Sequence, residues 1–348
     1  MTGSAMSAAG MPAGTVTLAA MGSFTVGGRR VEVSGRPERT VTLSPDLPPY
    51  VVDVNGTYQA DHAYVQYFLP ARPRGLPLVL VHGGGLTGSC WESTPDGRSG
   101  WAWHFLRAGH PVYVVDNVER GRAGWDALGW GAERAPLSRS AQEAWTVFRI
   151  GPPEGFDEAR PYPGCLFPVD DLAALSAMTV PRWTTTTGLA IAAIEAVLAR
   201  VGRCAVIAHS QGGGIAAHAA ARSPEHVAAL VLIEPHSLPG AGGSDGRAGG
   251  PGGRAGGSDG RAGGPGGRAA APRLIVAGDF IEQSPVYRGL RAEWHGHLGD
   301  LAAGGTRADY FSLPAMGHPG NSHAPMMDAN SDVVAALVNG WIERATTG

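Results

Sequence analysis

The chain has 348 residues with 27 basic and 30 acidic side chains, a net charge of −3, 43% hydrophobic and 16% charged residues, and a mean hydropathy of −0.05. That balance argues against a polyanion partner, a disordered polyelectrolyte and a membrane protein, so neither nucleic-acid binding nor a membrane span is expected. Every basic residue is arginine, which excludes a P-loop lysine, a Schiff-base lysine and a serine–lysine nucleophile together.

The first charge after the initiator is Arg29, so the start of the chain lacks the basic patch and compact apolar stretch of a secretory signal, and a cytoplasmic location is expected. Alternating stretches at 15–18, 23–26, 30–33 and 63–68, separated by Gly, Pro and Asn signals, predict antiparallel hairpins over 15–70. The run LVLV at 78–81 is continuously apolar and predicts a strand buried on both faces. HGGG follows at 82–85. Glycine reaches torsions closed to other residues, so such a loop can turn its amides inward onto a developing negative charge, with Gly84 the first candidate donor and Gly85 the next. A phosphate cradle would need GxGxxG or a P-loop lysine, and neither is present.

VYVV at 112–115 predicts a second buried strand, and from 121 to 181 the sequence turns rich in Pro, Trp and Gly and loses a clear period. A lid or cap insertion is the reading of that stretch, against an ordinary surface excursion. Tryptophans at 91, 101, 103, 125, 130, 145 and 183 fall in and around these segments. Most are read as core; Trp91 and Glu92, directly after the glycine loop, are singled out, with Trp91 as a substrate-contacting residue.

A helix over 188–200 leads to AVIA at 205–208, a buried strand that runs into His209, Ser210, Gln211 and three glycines opening a helix at 213–221. A serine at the apex of a sharp strand-to-helix turn adopts a strained backbone, and small residues on either side prevent clashes with neighbouring elements. Ala208 stands where GxSxG has its first glycine and Gly212 supplies the second. The amide of Gln211, at the helix start, is placed for an oxyanion. The plain alternative is a serine capping a helix.

The strand at 229–233, ALVLI, ends at Glu234, a charge directly after an apolar run and before Pro235. Such a carboxylate needs a buried partner. The segment 237–271 contains GGSDGRAGGPGGRA at 242–255, repeated unchanged at 256–269; with glycine at about half its positions it reads as a flexible linker. LIVA at 274–277 ends near Asp279, a second candidate acid that could equally start a turn. A sixth strand is predicted at 310–313 and a last helix at 331–344, with His318 and His323 between them as candidate bases. His209 is expected to shape the pocket and His236 to lie at the surface or behind the site.

Cys90, Cys165 and Cys204 form no CxxC pair and are read as small buried hydrophobes. His318, His323 and Asp328 are close in sequence but lack HExxH or any short ligand spacing, so no metal and no cofactor are expected.

With these residues the chain resembles the α/β-hydrolase superfamily from about Ala63 onward, apart from the repeat. HGGGLTGSCWESTPDGRSGW at 82–101, AHSQGG at 208–213, IEPH at 233–236 and GNSH at 320–323 are similar to a bacterial esterase subgroup in which the acid is a glutamate. The resemblance implies an α/β fold in one domain over 1–348, with a mostly parallel central sheet flanked by helices, N-terminal antiparallel hairpins and a lid insertion. It implies a catalytic triad of Ser210, His323 and Glu234, an oxyanion hole from Gly84 and Gln211, and a small-molecule ester as partner. Apolar or aryl esters of small to medium size are the expected substrates. The rival readings are a lactonase, amidase or carbon–carbon hydrolase with the same triad, or a non-catalytic binding protein on this scaffold.

Overall fold

A computed structural model describes residues 15–124, 136–239 and 270–347. The glycine-rich repeat, Trp125 and Trp130 lie outside the described residues.

Eight strands form one sheet in the order β1-β4-β6-β5-β7-β8-β9-β10, where β1 is Leu18–Val33, β4 Gly56–Pro70, β5 Leu78–Val81, β6 Val112–Asp116, β7 Cys204–His209, β8 Val227–Ile233, β9 Arg273–Ala277 and β10 Ala308–Ser312. β4 pairs antiparallel with both β1 and β6, and every pairing from β6 to β10 is parallel. Parallel strands need covered faces, which is why β5, β7 and β8 read as unbroken apolar runs. The pleat still sorts them. Leu78, Leu80, Ala205 and Ile207 face one core, Val79, Val81, Val206 and Ala208 the other. Each fully buried leucine or valine here contributes up to about 1.5–3 kcal/mol.

The first core is closed by α1 (Trp101–Ala108), α2 (Ala141–Val147), α3 (Leu172–Met178) and α7 (Ser331–Thr346), the second by α4 (Thr187–Val201), α5 (Ser210–Arg222) and α6 (Pro285–Ala303). Within 136–181, Ala144, Trp145, Phe148, Ile150, Phe167 and Leu175 are buried in the first core. The stretch is therefore anchored in the body of the sheet rather than hinged above it.

The N-terminal region is antiparallel as expected, but it is built on one long strand pair rather than several short hairpins. The stretches at 23–26 and 30–33 are parts of one 16-residue strand, β1, whose ladder with β4 runs on through Gly27–His62 and Arg29–Ala60. Gly27 and Gly28, read as a turn, have φ of 73° and 79° inside that strand. A Cβ on Gly28 would lie 2.4 Å from the Ala60 carbonyl oxygen, so the glycine serves close approach, not reversal. The reversal lies in 34–55, which carries a separate two-stranded sheet of β2 (Arg39–Val41) and β3 (Tyr50–Val52). β10 begins two residues before the predicted strand, and α5 starts at Ser210 itself. Cys90 and Cys204 are buried as expected, whereas Cys165 is partly exposed.

Candidate active site

The chemistry-bearing side chains gather at the carboxyl ends of β5, β7 and β8 and in the loop after β10. Ser210 follows β7 at φ 54°, a conformation that costs a non-glycine residue about 1–3 kcal/mol. Its carbonyl accepts the His236 amide at 3.0 Å, which ties the bend to the end of β8. Three glycines then let α5 lie against its surroundings. A Cβ on Gly212 would come within 2.1 Å of the His82 carbonyl oxygen, one on Gly213 within 2.9 Å of Pro235 Cβ, and one on Gly214 within 2.2 Å of the His236 carbonyl oxygen.

Of the two candidate bases, His323 is the one brought to the serine: its Nε2 lies 3.0 Å from Ser210 Oγ. His318 is half-buried on the preceding turn, where its amide donates to the Leu313 carbonyl. The loop that carries His323 is pinned from three sides. The His323 amide donates to the Phe148 carbonyl at 2.8 Å, the Gly320 amide to Asp279 Oδ2 at 2.8 Å, and the buried Asp328 carboxyl accepts from the Ser322 amide, Ser322 Oγ and Asn321 Nδ2. The His323 ring packs between Phe148 and Tyr287, at centroid distances of 5.6 and 4.9 Å. Burial holds this imidazole well below its ordinary range, and the charge of Arg149 pushes it further down, favouring the neutral form that can accept a proton.

Of the two candidate acids, Glu234 meets His323: Oε2 lies 2.6 Å from Nδ1. Asp279 has both oxygens engaged elsewhere, on the amides of Phe280 and Gly320 at 2.7 and 2.8 Å, so it clasps two loops together. Glu234 sits at φ 45° with no exposed surface. It receives the Gly278 amide at 2.7 Å and both Arg149 Nη atoms as well as the imidazole. Arg149 was not singled out by sequence. Its position between Phe148 and Ile150 is the only local hint, and nothing in the spacing links it to Glu234, 85 residues on.

The glycine loop after β5 touches the serine bend. A Cβ on Gly83 would lie 3.2 Å from Ser210 Cβ, and one on Gly84 would lie 2.7 Å from Gln211 Oε1 and 2.8 Å from Arg182 Nη1. The Gly85 carbonyl accepts the Val180 amide at 2.9 Å, which joins this loop to the 136–181 stretch. His209 donates from Nε2 to the His323 carbonyl at 3.0 Å, supporting that residue from behind. His236 is partly buried, its ring 5.8 Å from that of His323.

Trp91 is a correction. It has no exposed surface and packs against Trp101 in the first core, with ring centroids 5.7 Å apart, so it underpins the loop instead of lining a pocket. Trp101 and Trp145 are equally enclosed. The groups packed on His323 and the glycine loop are imidazoles, Phe148, Tyr287 and the guanidinium groups of Arg139 and Arg182, of which the sequence pointed only to the histidines. Among the described residues no cluster of three or more His, Cys, Asp or Glu side chains is arranged to hold a metal ion, and no helix is long and apolar enough to cross a membrane.

A family model described as the alpha/beta hydrolase fold matches residues 190–246, the stretch that contains Ser210 and Glu234. A probable secreted lipase, phiG, from a fungus (Fungal sp., strain ATCC 74256) is 28% identical over 190 residues, which is 53% of this chain and 52% of the lipase. That match spans about half the length of either protein. The structure of a bacterial esterase, solved at atomic resolution, superposes with a TM-score of 0.78 at 32% identity, covering 97% of this chain and 99% of that one.

Proposed function

The chain belongs to the α/β-hydrolase superfamily, among its esterases, and from that premise we propose that it hydrolyses carboxylic esters through an acyl-enzyme formed on Ser210. The observation that carries this reading is the continuous hydrogen-bonded line from Ser210 Oγ to His323 Nε2 at 3.0 Å and from His323 Nδ1 to Glu234 Oε2 at 2.6 Å. Ser210 Oγ attacks the ester carbonyl as His323 Nε2 takes its proton. Glu234 holds the ring in the Nδ1–H tautomer and offsets the charge of the imidazolium. The protonated Nε2 then delivers its proton to the leaving alkoxide, and water, activated by the same nitrogen, cleaves the acyl-enzyme.

The amides of Gln211 and Gly84 are the proposed oxyanion donors. Gln211 lies in the first turn of α5, where amides have no partner within the helix. One such donor is worth about 2.7–4 kcal/mol in the transition state. The expected apolar or aryl substrate class rested on tryptophans of which Trp91, Trp101 and Trp145 lie in the first core and line no site. Hydrolysis of para-nitrophenyl acetate by the wild type, abolished in a folded Ser210→Ala variant, tests the reading; undiminished turnover by that variant overturns it.

A further inference from the structure

Two arginines lie against the glycine loop without a carboxylate oxygen within hydrogen-bond distance among the described residues. The Arg139 side chain is only 9% exposed, and its Nε and Nη1 are buried with no hydrogen-bond partner among the described residues. The nearest carboxylate oxygen, on the half-exposed Glu143, is 3.7 Å from Nη2. Its guanidinium carbon lies 5.8 Å from the centroid of the Phe148 ring that packs on His323, and its Nε 3.8 Å from where a Cβ on Gly85 would sit. Arg182 reaches the neighbouring glycine, with Nη1 2.8 Å from a Cβ position on Gly84, and forms no ion pair among the described residues. Arg120, close by, is different, because it is paired with buried Glu119 at 2.9 Å.

A buried donor without an acceptor costs about 1–3 kcal/mol, and two like charges held against one loop repel besides. Burial lowers the proton affinity of Arg139, Glu143 offsets part of that shift, and the charge of Arg182 adds to it. An anion set between the two groups would relieve both costs. A planar carboxylate is the best match, since a guanidinium fork gives it two parallel, charge-assisted hydrogen bonds.

We propose that Arg139 and Arg182 form a carboxylate-binding subsite, so that the preferred substrates are esters bearing a carboxylate a short chain away from the scissile group. The inference rests on Ser210 as nucleophile and narrows the substrate class for that same site.

The test compares monomethyl succinate with its neutral isostere methyl isocaproate, following acid release at pH 7. The wild type should favour the anionic ester in kcat/KM by about tenfold or more, a preference that shrinks as added salt screens the charges. Arg139→Gln and Arg182→Gln should each lower that ratio about fivefold or more, chiefly through KM of the anionic ester, while Arg139→Lys keeps part of it. A wild type without preference overturns the subsite. So do variants that lower kcat for both esters by one factor, which would place the arginines on the oxyanion of every substrate. Hydrolysis of either ester that survives Ser210→Ala would strike instead at the nucleophile assignment.

Discussion

Arg149 and Glu234, 85 residues apart in the chain, meet through paired N–H···O bonds of 2.7 and 2.5 Å with side-chain exposures of 1% and 0%. This pair makes a carboxylate tolerable at the end of an apolar strand. It also fixes the plane of the Glu234 carboxyl, so that Oε2 is aimed at His323. The arginine comes from the 136–181 stretch, so the segment laid over the first core takes part in positioning His323.

Removing one member of such a pair leaves a buried charge uncompensated. Arg149→Met should destabilise the protein by about 3–5 kcal/mol in urea unfolding. The double variant Arg149→Met with Glu234→Gln should lose less than the sum of the two single changes, because the orphaned carboxylate is gone. Additive losses would mean that the pair contributes no coupling.

The two acid candidates separate kinetically. Glu234→Gln should lower kcat on the order of 10⁴-fold by spoiling the imidazole tautomer, with little change in KM. Asp279→Asn leaves Ser210, His323 and Glu234 in place and weakens only the clasp on Phe280 and Gly320, so its loss in kcat should stay within about tenfold. Steady-state kinetics on one neutral ester checks both, and the reverse ranking would move the acid to Asp279.

The depressed imidazoles set two pH dependences. His323 is held well below its ordinary 6.5, first by burial and then by Arg149, so the acid limb of kcat/KM should lie below about pH 6.5. Stability should also fall on acidification. His82 and His297 drop from 6.5 to about 4, both chiefly through burial, and His209 lies well below 6.5 for the same reason. Between about pH 6.5 and 4 the unfolded chain therefore binds protons that these folded rings refuse, and their contribution is lost as pH falls through that window. Asp328, pushed up to about 7 by burial, acts in the opposite sense but is one group against several. A thermal midpoint that rises from pH 7 to pH 5 would contradict this.

The glycines of α5 and α4 should respond oppositely to alanine. At Gly212 a Cβ would sit 2.1 Å from the His82 carbonyl oxygen, so Gly212→Ala must displace the serine bend, with a loss of about 1–3 kcal/mol and of activity. At Gly188, on α4, nothing lies within 4 Å, and Gly188→Ala should be neutral or stabilise by up to about 1 kcal/mol. Denaturant unfolding of the two variants decides it.

The parallel strands were legible because burial on both faces writes itself as an unbroken apolar run, as at 78–81 and 229–233. β1 was not, since Gly27 and Gly28 carry the composition of a turn while lying inside a paired strand. α6 escaped because only Tyr287, Trp294 and Leu298 of its 19 residues are buried, too sparse a stripe to stand out. Ser210 was legible because a strained bend requires small neighbours on both sides. The choice between Glu234 and Asp279 was not open to residue types alone, because it depends on which carboxyl has its oxygens occupied by loop amides. Arg149, Arg139 and Arg182 reach the site only through long-range packing that no spacing in the chain records. Trp91 misled for a related reason: its nearness to the glycine loop in sequence suggested a place in front of that loop, whereas it is enclosed in the first core.

The most direct test is to treat the protein with a fluorophosphonate, map the modified peptide by mass spectrometry and repeat the experiment on His323→Ala. Stoichiometric modification of Ser210 in the wild type, with labelling slowed on the order of a thousandfold or more in the variant, is the predicted result. An unreactive Ser210, or one that reacts equally fast without the His323 ring, would contradict the account.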